Sequence, residues 1–117
     1  MRPTWHLVPH AVWEALAPGQ LLEPASLAAE GFVHCTDGDD ELIATANRHY
    51  ATDPQPFLAV SIDLDRVGSP WRIDVAGSPY PHVYGPIPVA AIVDVVPLRR
   101  DAAGRFIALE KLSPESA

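Results

Sequence analysis

The amino-acid sequence predicts an α+β domain built on a mixed or largely antiparallel sheet. Three observations carry that reading. Segments with strand character outnumber helical ones, their order is not a βαβ alternation, and the run Phe57 to Ile62 is almost wholly apolar, as a central strand covered on both faces requires. With 117 residues, 48% of them hydrophobic and 20% charged, the chain can close one core but not two. One domain is expected over residues 1–112, with 113–117 as a frayed tail.

Taken in order, Trp5 to Val8 reads as a first strand. Pro9 stands where a helix starts, and Val12, Trp13 and Leu16 recur at helical spacing until Pro18-Gly19 stops them. Ser26 to Glu30 forms a single turn closed by Gly31. Gly31 to Thr36 is a strand. From Asp39 to Tyr50 the acids cluster in the first turn, Arg48 and His49 lie in the last, and Leu42, Ile43, Ala46 and Tyr50 share a face, which the helix dipole and an amphipathic packing surface both favour. After the central strand, Asp63-Leu64-Asp65 makes a turn or one helical turn ending at Gly68. Trp71 to Val75, Pro81 to Tyr84 and Ile92 to Leu98 are further strands, and Arg105 to Leu109 returns antiparallel after the turn Asp101 to Gly104.

Charge excludes one class of function. Eight basic against 15 acidic side chains leave a net charge of −7, so a DNA- or RNA-coating role, which needs clustered Lys and Arg, is not expected. The uncharged stretch between Asp74 and Asp94 is long enough to span a bilayer, but Pro79, Pro81, Pro86, Pro88, Gly77 and Gly85 forbid a spanning helix. The single Cys35 forms no internal disulfide and the N-terminal residues show no signal peptide, so a cytoplasmic location is expected.

The chemistry is expected at the histidines. His6, His34 and His82 all fall in strand segments, where residues two apart share a face. His34 then points with Phe32 and Thr36, away from Val33 and Cys35, and His82 points with Tyr84. If the strands are neighbours, His6, His34, Thr36, His82 and Tyr84 converge on one polar patch; taken singly, each histidine is more readily an ordinary half-buried residue bonded to backbone. Cys35 as a nucleophile would need His6 or His82 across the sheet, because His34 faces the other way. Three histidines on one surface could hold zinc, yet no close ligand pair such as His-x-x-x-His or Cys-x-x-Cys supports it, and Asp63-x-Asp65 reads as a turn cap before a magnesium site. No metal is expected. Asp37, Asp39, Asp40 and Glu41 crowd the start of the second helix and repel phosphate there, so a nucleotide would lie over the sheet face.

His6, Trp13, the block Gly31-Phe32-Val33-His34-Cys35-Thr36 and the block Pro81-His82-Val83-Tyr84-Gly85-Pro86 together resemble the bacterial family catalogued as domain of unknown function 952, from about Trp5 to Leu98. The resemblance implies an ADP-ribosyltransferase-like architecture, a split and strongly bent sheet around a cleft sized for a nicotinamide dinucleotide. It implies that His6 grips a ribose and that His34 with Thr36 supports the nicotinamide. It also aligns Asp74 with a family glutamate, one methylene longer, and Tyr80 with a phenylalanine. The expected protein therefore binds NAD or a related nucleotide in a histidine-lined cleft and transfers ADP-ribosyl groups. Its expected catalytic residues are His6, His34 and Asp74, and its cofactor-binding residues His6, His34, Thr36, His82 and Tyr84. Two alternatives stay open: a non-catalytic module for a small ligand or protein on a degenerate transferase-like fold, and a His-ligated metal hydrolase.

Overall fold

The structure, a computed structural model, describes residues 1–110; the expected tail at 113–117 lies outside them. The order is β1 (Pro3–Pro9), α1 (His10–Glu14), α2 (Ala25–Glu30), β2 (Val33–His34), α3 (Asp39–Tyr50), β3 (Phe57–Asp63), a 3-10 turn (Leu64–Arg66), β4 (Trp71–Arg72), β5 (His82–Val83), a second 3-10 turn (Val89–Ala91), β6 (Ile92–Arg100) and β7 (Phe106–Leu109). The fold is α+β, and all strand pairings among the described residues are antiparallel: a four-stranded sheet ordered β1-β3-β6-β7 and a three-stranded sheet ordered β2-β5-β4.

β3 is the central strand, buried on both faces along its whole length. Its alternation explains why it can be so apolar. Val60 and Ile62 face a core shared with Val8, Val33, Cys35, Val83 and Ile87, between the two sheets. Phe57 faces a second, smaller core with Ala46 of α3 and Phe106 of β7. α3 begins and ends where its charge pattern predicts, with Asp39, Asp40 and Glu41 in the first turn and Arg48 and His49 in the last. Asn47 ties it to β7 in both directions: its amide donates to the Phe106 carbonyl at 2.9 Å and accepts from the Phe106 N–H at 2.8 Å.

Several elements are shorter than their sequence pattern suggests, each for a local reason. α1 stops at Glu14, because the Leu16 N–H bonds the Trp13 carbonyl at 3.2 Å and tightens the turn before Leu16 can continue the helix. The Gly31–Thr36 strand is paired as β2 only at Val33–His34; beyond it the chain crosses to the other sheet, where Thr36 and Trp5 exchange backbone bonds of 2.9 and 2.8 Å. β4 ends at Arg72 rather than Val75, since the chain turns back and Ser78 N–H bonds Val75 O at 3.0 Å. The Thr36 bridge matters most, because it fastens the edge of the large sheet to the small sheet.

Gly31 closes α2 with φ of 87°, a left-handed position that suits glycine. Gly85 is required for a different reason: a Cβ there would lie 2.8 Å from Ser69 Cβ and 2.1 Å from Ser69 Oγ. The close approach that glycine permits in the Pro-Tyr-Pro-His block is thus to a protein side chain.

Candidate functional site

The three-stranded sheet sorts its side chains by alternation. Val33, Val83 and Trp71 turn into the core between the sheets, so Phe32, His34, His82, Tyr84 and Arg72 take the opposite face. His34 and His82 are direct cross-strand partners, as are Arg72 and His82. Phe32 stacks on His82 with ring centroids 4.0 Å apart and meets the His34 ring edge-on at 4.8 Å. The two imidazoles lie 5.5 Å apart in a T-shaped arrangement.

Each imidazole is held by its own carboxylate. His82 Nδ1 lies 2.7 Å from Asp74 Oδ2, and His34 Nε2 lies 2.7 Å from Glu30 Oε2. Asp74 also accepts from the Tyr84 hydroxyl and, at 2.7 Å, from Arg72 Nε. The Arg72 guanidinium sits over the Tyr84 ring, 4.4 Å from its centroid. These donors, Tyr84 first, then His82 and Arg72, hold the Asp74 carboxyl at about 2, well below its usual value. A carboxylate held ionised in this way keeps the His82 proton on Nδ1 and leaves Nε2 as the nitrogen with a lone pair.

His6 is built differently. It points from β1 toward the core between the sheets, 7% exposed, and its Nδ1 donates to the His34 carbonyl at 2.7 Å. Burial lowers its pKa to about 4, against the opposing pull of that backbone bond. The ring is neutral at pH 7 and unites β1 with β2.

A cleft of about 790 Å³ brings these parts together, within the range of a small-molecule site. His6, His34, Thr36 and His82 all line it, together with Glu30 and Arg48. Four of the six side chains named from the sequence therefore share one hollow. Tyr84 and Asp74 do not line it; they stand behind His82, and Asp74 acts on the cleft only through that ring. The sequence reading missed Glu30, Phe32 as the ring between the histidines, and Arg48 with Tyr80. Glu30 was visible in principle, since it lies four residues before His34. Arg48 and Tyr80 are 32 residues apart, and their hydroxyl–guanidinium bond of 3.0 Å exists only in the tertiary structure.

Cys35 is 1% exposed, and burial pushes its thiol up to about 12. It is a buried small hydrophobe, which removes the nucleophile reading. Among the described residues no three His, Cys, Asp or Glu side chains are gathered to hold a metal ion, and no helix is long and apolar enough to cross a membrane.

Residues 7–95 match the family described as "Protein of unknown function (DUF952)". The chain belongs to that family. Among solved structures, the fold is similar to CC0527 from Caulobacter crescentus. The crystal structure of CC0527 aligns with TM-score 0.71 at 22% identity, covering 90% of this chain and 93% of that one. Its solution NMR structure gives TM-score 0.67 at 22% identity over 95% and 93%. No curated protein matches. The α+β architecture is thus shared with this neighbour, and at that identity the likeness extends to the fold alone.

Proposed function

We propose that this DUF952 domain is a small enzyme whose cleft binds a nucleotide, NAD or a relative of it, and that His82 and His34 move protons at the bound ligand. The observation that carries the reading is the pair of imidazoles 5.5 Å apart, each backed by a separate carboxylate, in one cleft of about 790 Å³. Here each of two rings spends one nitrogen on a carboxylate and keeps the other without a protein partner among the described residues.

The chemistry follows from that arrangement. With its Nδ1 proton held by Asp74, His82 Nε2 can take a proton from an acceptor hydroxyl or a water, and the imidazolium that forms faces an ionised carboxylate. His34, paired with Glu30, is the second group able to give or take a proton. His6 stays neutral and orients ligand hydroxyls through Nε2. The residues present suit a dinucleotide: Phe32, Tyr50 and Tyr80 supply ring surfaces at or beside the cleft, and Arg48 supplies a cation. NAD, when bound, would supply a transferable ADP-ribosyl group. The ADP-ribosyltransferase-like architecture and this transfer rest on the family resemblance. In that chemistry the carboxylate available beside the ribosyl carbon is Glu30, because Glu30 lines the cleft and Asp74 does not.

Isothermal titration with NAD and with ADP-ribose tests the proposal. Saturable binding, lost in His82→Asn and His34→Ala variants whose melting temperatures stay close to wild type, is expected. Absence of binding by either nucleotide would leave the rival reading, a module without catalytic function that takes a different small ligand or a protein.

A further inference from the structure

We infer that Arg48 and Tyr80 form an anion site on the wall of the cleft, which takes the phosphoryl group of the ligand. The inference rests on the nucleotide reading above and names the part of the ligand that the histidines do not address. Arg48 lies in the last turn of α3 and lines the same cleft as His34 and His82. Its Nη2 donates to the Tyr80 hydroxyl at 3.0 Å and to Thr45 Oγ1 at 3.2 Å, and its guanidinium lies 5.9 Å from the Tyr80 ring centroid. The Tyr80 hydroxyl in turn donates toward Glu41 Oε2 at 3.4 Å.

These partners orient the guanidinium through hydroxyls, and the Glu41 carboxylate is reached only by way of the Tyr80 hydroxyl. In a chain with 15 acidic side chains against eight basic ones, Arg48 has no carboxylate partner among the described residues, whereas Arg2 and Arg72 pair with Asp37 and Asp74. Both Nη2 bonds go to neutral hydroxyls, so Nη1 and Nε keep their N–H groups. An arginine held by a ring face and two hydroxyls, with donors left over, matches the multiple oxygens of a phosphoryl group.

The test compares ADP-ribose with adenosine, which lacks the phosphates and the second ribose, by isothermal titration on the full chain, and the Arg48 variants isolate the phosphate contribution. Wild-type protein is expected to bind ADP-ribose at least roughly tenfold more tightly than adenosine, and Arg48→Met to lose most of that difference while keeping its affinity for adenosine. Arg48→Lys restores part of it, since charge returns without the fork. Tyr80→Phe gives an intermediate loss by freeing the guanidinium. Unchanged ADP-ribose affinity in a folded Arg48→Met protein overturns the anion site but leaves the nucleotide reading standing. Failure of both compounds to bind wild-type protein overturns both.

Discussion

His6 is expected to make the protein acid-sensitive in a defined window. Its pKa in the folded chain is lowered from 6.5 to about 4, chiefly by burial. In the unfolded chain it titrates near its ordinary value, so the unfolded state binds more protons between those two pH values and stability falls as pH drops through them. Each tenfold difference in proton affinity between the two states is worth about 1.4 kcal/mol, so the full effect is about 3 kcal/mol. Between about pH 7.5 and pH 4.5, roughly 2 to 3 kcal/mol of it is lost. Urea unfolding at those two pH values measures it directly, and His6→Asn supplies the control. The asparagine amide can still donate to the His34 carbonyl but does not titrate, so the variant is less stable overall yet loses much less between the two pH values. Asp74 does not interfere: its carboxyl, held at about 2 by Tyr84, His82 and Arg72, gives stability that is lost only as pH falls below the ordinary carboxylate range. Equal losses in wild type and His6→Asn would refute the argument that burial keeps this ring uncharged.

Other expectations follow from the packing and the site. Gly85→Ala drives a Cβ into Ser69 and should cost about 1 to 3 kcal/mol in urea unfolding. Asn47→Ala removes both bonds between α3 and the Phe106 backbone and should cost roughly 1 to 3 kcal/mol, with faster amide exchange at Phe106. Native Cys35 should resist a thiol-directed disulfide reagent and react stoichiometrically once the protein is unfolded, because burial pushes the thiol up to about 12. Asp74→Asn should shift the neutral His82 ring away from the Nδ1–H tautomer in nitrogen NMR spectra, whereas Glu30→Gln should leave His82 unchanged.

Much of the local structure was legible along the chain. Asp39 to Tyr50 carries acids at one end, bases at the other and an apolar stripe between, and it folds as the helix those features require. The apolar run from Phe57 becomes the strand buried on both faces, and the alternation of Phe32 with His34 and of His82 with Tyr84 sets each pair on one face. These are short-range properties, decided by periodicity and helix-end charge. Chain length between elements, in contrast, says nothing about which strand edges meet. Where β1 would deliver His6 was therefore undetermined, and the Thr36–Trp5 bridge decides it, placing that ring under the His34 backbone. The tertiary structure likewise turned Asp74 away from the cleft, buried Cys35, and brought Arg48 to Tyr80. Amphipathic pattern told each segment which side to bury; only the tertiary meeting of β1, the small sheet and α3 determined which polar side chains would share the cleft.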